Sequence, residues 1–269
     1  MVRETTAGRK RFLSAYDVQL RTDAETPSAI RVTRLGPLRL VTFAGGRGFV
    51  TSRRTESVDG AILSELAVQA LDHFRHDPET TRVEWKTRQH DYAPGLHEEL
   101  VRLGFVPDET ESIMIGSASA LAVDVQLPDG VILRKVDSET DVRAMSAMQD
   151  EVFGDPVSAE MADALLQRLA KADGMELWIA EADDQIITAG RLEPVDGSEF
   201  AGIWGGATRP QWRGRGIYRA LTAARARSAI ALGKSLIHSD STEYSRPILE
   251  RSGMVAVSKT TPYQWTRSD

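Results

Sequence analysis

Two glycines set two residues apart inside an arginine cluster mark the chain's best candidate for chemistry: Gln211-Trp212-Arg213-Gly214-Arg215-Gly216, with Arg209 before and Arg219 after it. An apolar, β-branched run precedes this segment, and an alanine- and arginine-rich helix is expected from Ile217. A strand, a short glycine loop and a helix in that order can cradle an anion. The first N–H groups of a helix lack intrahelical partners and carry partial positive charge. Glycine lets the backbone come close to a ligand. Arginine forks match phosphate oxygens. Cations at a helix N-terminus oppose its dipole, so four of them there point to an anionic ligand. A solvated helix end is the plain alternative. The segment is not a dinucleotide fingerprint, whose third glycine would fall at Arg219, nor a Walker loop, because no Gly-Lys-Ser/Thr follows.

The elements that position this loop read as follows. Strands are expected at 29–34, 38–43 and 48–53, then a helix over 60–75 with Leu63, Leu66, Ala67, Ala70, Leu71 and Phe74 at helical spacing. A strand at 82–86, a short helix from Pro94 to Gly104 and a strand over 112–115 close the first half. Leu127-Pro128-Asp129-Gly130 is a turn signal, and the domain boundary is placed near residue 125. The second half restarts with a strand at 131–136. Ser138 and Asp141 suggest a capping box before a helix bearing Val142, Met145, Met148 and Val152. A helix at 158–172, three strands (177–181, 186–192, 200–208), the glycine loop and a helix at 217–232 follow. A strand near 235–239, a short helix at 244–251 and strands at 255–258 and 263–267 end the chain. Both halves close on a long helix, a strand, a short helix and a strand, which suggests a duplication. Gly45-Gly46-Arg47-Gly48 precedes a strand, so the first half has no counterpart of the loop before its long helix.

Composition bounds the rest. A length of 269 residues suggests about two domains. A hydrophobic fraction of 41% supports real cores. A net charge of −6 argues against general nucleic-acid binding. There is no cysteine, which excludes disulfides and thiolate catalysis and fits a reducing compartment. The N-terminal stretch lacks the apolar core of a signal peptide, and no run is long enough to span a bilayer. The expectation is a cytoplasmic protein without a membrane or metal partner. The five histidines show no metal-ligand spacing.

Over about 131–267 the sequence resembles the GNAT superfamily of acetyl-CoA-dependent N-acyltransferases. The likeness is strongest in Gly206-Ala207-Thr208-Arg209-Pro210-Gln211-Trp212-Arg213-Gly214-Arg215-Gly216-Ile217-Tyr218, where Gln211, Gly214 and Gly216 match the family's Gln/Arg-x-x-Gly-x-Gly/Ala loop. The resemblance implies an α+β fold of two GNAT-like domains, 1–125 and 126–269. Each would be a mixed, mostly antiparallel sheet flanked by helices, the first a degenerate copy. It implies acetyl-CoA as co-substrate: Gly206, Ala207 and Thr208 would pair with the pantetheine arm, and amides from Arg213 through Gly214, Arg215, Gly216 and Ile217 to Tyr218 would hold the pyrophosphate. Arg213 and Arg215 would add side-chain contacts, and Thr242 and Ser245 would line the same site.

Transfer to an amine needs a neutral nucleophile, donors for the developing oxyanion and a proton for the thiolate. Family members often carry an Asn and a Tyr where this chain reads Thr242 and Leu249, so the usual acid is missing. Tyr244 and Ser245 are substitutes to weigh. Glu199 and Glu193 are the candidate bases, with His238 and Asp240 nearby in sequence, and each has a structural alternative. The expected acceptor is a small-molecule primary amine, and the expected assembly a monomer or homodimer. The alternative reading is a non-catalytic acyl-CoA-binding sensor or recruiting module.

Overall fold

The computed structural model describes residues 6–53 and 59–267; the first five residues of the N-terminal stretch read above lie outside them. By packing, the chain forms two units. One contains the chain up to Ile113 together with Asp240–Arg246 and the segment from Ala256 onward. The other contains Met114–Ser239 and Pro247–Val255. The sequence placed a boundary near residue 125; packing separates the units between Ile113 and Met114 and assigns the last strand to the N-terminal one.

The N-terminal unit begins with α1 (Thr6–Gln19) and continues through β1 (Arg31–Leu35), β2 (Leu38–Phe43), β3 (Arg47–Ser52), α2 (Gly60–Arg75), β4 (Arg82–Arg88), α3 (Leu96–Arg102) and β5 (Val106–Pro107); β6 (Glu111–Ser117) follows. Helix α1 escaped the sequence reading because it buries only Phe12 and Tyr16 and so has no apolar stripe to detect. Asp59 caps α2 by accepting from the Ala61 N–H at 2.8 Å. Its predicted stripe is mostly buried: Leu63, Ala67, Ala70, Leu71 and Phe74 pack with Val50, Val83 and Trp85.

Next come α4 (Ala118–Leu121), β7 (Ile132–Val136), α5 (Glu139–Phe153), α6 (Glu160–Leu169), β8 (Glu176–Ala182), β9 (Gln185–Pro194), β10 (Phe200–Thr208), α7 (Ile217–Ala231), β11 (Leu236–Ser241), α8 (Arg246–Ser252) and β12 (Val255–Thr266). Ser138 does cap α5, its Oγ accepting from the Asp141 N–H at 3.2 Å. Strands β7, β8, β9 and β10 pair antiparallel in chain order. One cluster packs α5 and α6, through Val142, Met145, Met148, Ala162 and Leu165, against Leu177 and Ile179 of β8. A second joins Ala180 and Ala182 to Ile187 and to Ile217 at the start of α7. Leu177 and Ile179 serve one cluster and Ala180 and Ala182 the other, the alternation a two-sided strand requires.

Two sequence expectations are corrected here. The short helix expected from Tyr244 starts at Arg246, so Tyr244 lies outside it. The two final strands expected near 255–258 and 263–267 are one, β12, which pairs antiparallel with β4 from Thr260↔Arg88 to Thr266↔Arg82. Pro262 lies within β12; a strand tolerates proline where no ladder hydrogen bond is needed from its nitrogen.

The duplication is visible in the pairing. In the N-terminal unit β3 pairs antiparallel with β2 and parallel with β4, and α2 is the crossover. In the other unit β10 pairs antiparallel with β9 and parallel with β11, and α7 is the crossover.

Candidate active site

The site grows out of β10. Its parallel register with β11 runs from Phe200↔Leu236 to Gly202↔His238, while β10 itself continues six residues farther. On its other edge the pairing with β9 is interrupted by an irregularity between Trp204 and Ala207, then resumes at Ala207↔Ala189 and Thr208↔Thr188. Gly205 lies inside that bulge at φ +59°, and its carbonyl accepts a hydrogen bond from Gln149 Nε2 of α5. Bulges of this kind turn a strand locally and re-aim its groups. The carbonyl of Ile203 is held by Ser239 Oγ at 2.9 Å.

Beyond Thr208 the chain makes one tight turn, Pro210–Trp212, and enters α7 through Gly214 (φ +75°) and Gly216 (φ +79°). These left-handed values are what demand glycine here. A Cβ at Gly214 would meet nothing within 4 Å, so the loop presents open backbone there. Gly216 caps α7 without a side-chain hydrogen bond, and the first turn has no acidic residue. The helix ladder starts with the Ala220 N–H to the Gly216 carbonyl at 2.9 Å, which leaves the preceding amides without intrahelical acceptors. Arg215 stacks over Trp212, 4.8 Å from the ring centroid. Arg213 Nε donates to the Thr208 carbonyl at 3.0 Å, fixing the guanidinium beside the loop. Arg209 differs from the other arginines: it pairs with Glu151 at 2.9 Å and donates to the Ile186 carbonyl, so it braces the loop from β9 and α5. Uncapped amides, two exposed guanidinium groups and an open glycine turn fit a polyphosphate ester.

Residues 135–239 match the model of an acetyltransferase (GNAT) domain. No curated protein matches the sequence. Among solved structures, a GCN5-related N-acetyltransferase from Kribbella flavida superposes on 96% of this chain and 95% of its own with a TM-score of 0.67 at 17% identity. A tandem GNAT protein from the clavulanic acid biosynthesis pathway covers 88% of this chain and 83% of its own, with a TM-score of 0.59 at 13% identity. A GCN5-related N-acetyltransferase from Sphaerobacter thermophilus covers 86% and 76%, with a TM-score of 0.58 at 17% identity. At these identities the likeness is one of fold, and it runs over nearly the whole chain, as in a tandem GNAT protein. The GNAT family uses acetyl-CoA as acyl donor.

Within the matched segment the loop residues Gly206 through Tyr218 come together as one strand–turn–helix unit. The other sequence candidates lie outside this strand–turn–helix unit. Glu199 lies just before β10 and is exposed; its Oε1 accepts from Ser235 Oγ at 3.1 Å and its carbonyl accepts from the Ser235 and Leu236 amides. Glu193, on β9, sits between Arg168 and Arg191, with Arg191 Nε 2.6 Å away. Burial pushes its carboxyl up, but the two guanidinium groups outweigh this and hold it below the usual carboxylate range. A carboxylate so held is a weak base. His238 is 9% exposed and packs edge-on against Phe200 and Trp204. Thr242, Tyr244 and Ser245 pack with the N-terminal unit. There Ser245 Oγ bonds Ser241 Oγ at 2.7 Å, and Tyr244 is 87% exposed. Leu249, which the sequence reading set at the family's tyrosine position, is 1% exposed.

Sequence reasoning missed one group on α7. Arg225, two turns along α7 from Tyr218, is completely buried. Its Nη1 donates to the Arg191 carbonyl at 3.2 Å, its Nη2 has no hydrogen-bond partner, and the Tyr218 phenol is its side-chain neighbour. Burial pushes the guanidinium below its usual value, against the opposing pull of Tyr218. The i, i+7 spacing of Tyr218 and Arg225 was the available signal, hidden by four other arginines around the loop.

Among the described residues no group of three or more His, Asp or Glu side chains is arranged to hold a metal ion, and no helix is long and apolar enough to cross a membrane.

Proposed function

We propose that this chain is an N-acetyltransferase that moves an acetyl group from acetyl-CoA directly to a primary amine. The observation that carries the reading is the bulged, partly unpaired β10 leading through Gly214 and Gly216 into the uncapped N-terminus of α7. The free edge of β10 at Gly206, Ala207 and Thr208 suits a pantetheine arm laid alongside as a further strand. Amides from Arg213 to Tyr218 suit the pyrophosphate, with Arg213 and Arg215 adding charge. Holding amine and thioester in contact supplies much of the rate. The lone pair of the neutral amine attacks the thioester carbonyl carbon, and the C–S bond breaks as the tetrahedral intermediate collapses.

The acceptor we favour is a small cationic amine, because a net charge of −6 attracts cations. The test is thiol release from acetyl-CoA with spermidine, kanamycin and a lysine-containing peptide as acceptors. Release above the acceptor-free background with one of them supports transfer; background rates with all three count against it. A second reading, an acyl-CoA-binding module without turnover, is favoured by the buried Leu249 at the expected acid position and the exposed Tyr244. It predicts saturable acetyl-CoA binding with no amine-dependent thiol release.

A further inference from the structure

The acetyl-transfer reading lacks an acid for the departing thiolate, and the structure offers one from a different element. We propose that Tyr218 is the proton donor to the coenzyme A sulfur, with the buried Arg225 guanidinium as the positioning residue behind it. The inference rests on the acetyl-CoA reading above.

Three observations converge on this pair. The Tyr218 hydroxyl is pressed against Gly206: a Cβ built on Gly206 would come within 2.6 Å of that oxygen. Gly206 belongs to the bulged segment of β10, where the free edge meets the acyl donor in the proposed mode. The phenol therefore stands at the donor strand itself, not out on the loop. Tyr218 is half-buried, so its oxygen is held by protein and still reachable. Arg225 completes the pair. It is completely buried, with no carboxylate partner among the described residues and one unpartnered nitrogen. An isolated buried cation is costly. Its cost is offset when a neighbour takes on negative charge, and a tyrosine that has just given up its proton does so. Helical geometry keeps the two together: positions 218 and 225 lie on one face of α7, and Thr222 Oγ1 bonds the Tyr218 carbonyl at 2.9 Å between them.

The step balances as follows. Collapse of the tetrahedral intermediate breaks the C–S bond and leaves its electron pair on sulfur. The Tyr218 O–H proton moves to that sulfur, giving the free thiol. The phenolate beside Arg225 is then reprotonated by water carrying the proton that the amine nitrogen lost on acylation. Acetyl-CoA and a primary amine give the acetamide and coenzyme A, with no net change in the protein.

Two measurements on the full chain test this. The first is steady-state turnover of Tyr218→Phe and Arg225→Met with whichever amine supports thiol release. Tyr218→Phe should lose kcat by about 10²-fold, in the range of a single acid–base catalyst, with KM for acetyl-CoA within threefold. Arg225→Met should lose kcat in the same direction, and Arg225→Lys should recover part of it. A loss confined to KM, or kcat within twofold of wild type in Tyr218→Phe, would overturn the assignment. The second measurement needs no turnover: titration of the thiolate absorbance of bound coenzyme A. A donor at the sulfur stabilises the thiolate, so the bound thiol should titrate at higher pH in Tyr218→Phe than in wild type. Coincident titrations would overturn the proposal even with transfer established. Absence of amine-dependent release from wild type, with a clear titration difference between the variants, would count against the transfer reading and uphold the Tyr218–sulfur contact.

Discussion

Glu193 shows how a residue that looks catalytic in sequence is explained by its neighbours. Its carboxylate bridges Arg168 and Arg191 on the inner end of β9, and its pKa is held below the usual range because the two guanidinium groups outweigh the cost of burial. A depressed folded-state value means that its stabilisation is present above the unfolded value of about 4.3 and is lost as pH falls through the folded one. Glu193→Gln should therefore lower stability by about 1–3 kcal/mol at pH 7, the cost of leaving charged partners unpaired. The gap between the thermal melts of the two proteins should narrow from pH 7 to pH 3. An equal gap at both pH values would show that charge is not what Glu193 contributes. Tyr218 and Arg225 teach the complementary lesson. Neither stands at a position that motif spacing singles out for proton transfer, yet the fold sets the phenol against Gly206 and the guanidinium behind it.

The decisive element is the β10–loop–α7 unit. Gly214 sits at φ +75° with nothing within 4 Å of its would-be Cβ. Asparagine tolerates this region better than most side chains, so Gly214→Asn should weaken acetyl-CoA binding by less than about tenfold. Gly214→Asp is nearly isosteric but places a carboxylate against the pyrophosphate and opposes the helix-end site; it should weaken binding by at least a further ~10-fold. Calorimetry on both variants checks this, and equal affinities would remove the pyrophosphate from the loop. Much of this unit was legible beforehand: the extent of β10 at 200–208 and the start of α7 at Ile217 follow from the apolar and alanine-rich runs on either side of the glycine loop. The bulge at Trp204–Ala207 was not, because register irregularities depend on the partner strand. Helix α1 was hidden by its weak apolar stripe. Thr242 and Ser245, expected by sequence at the coenzyme site, pack with the N-terminal unit, a long-range fact that local pattern does not carry.

At the scale of the whole molecule, the N-terminal unit depends on the far end of the chain. Strand β12 pairs with β4 over Thr260–Thr266, and Tyr263 and Trp265 belong to the same buried cluster as Trp85, Phe74 and Leu100. Residues 1–125 expressed alone lack that strand and both aromatic rings. Removing a large buried aromatic costs about 3–5 kcal/mol, against a typical domain stability of about 5–15 kcal/mol. The isolated segment should be unfolded by circular dichroism, and addition of a peptide spanning 253–269 should restore structure; a cooperative melt of residues 1–125 alone would refute this dependence. The duplicated architecture carries one glycine loop, in the second copy, so the account requires a single coenzyme site per chain. The most direct test is calorimetric titration of the full-length chain with acetyl-CoA. The account predicts saturable binding at one site per chain. Absence of saturable heat up to millimolar acetyl-CoA, or a stoichiometry of two, would contradict it.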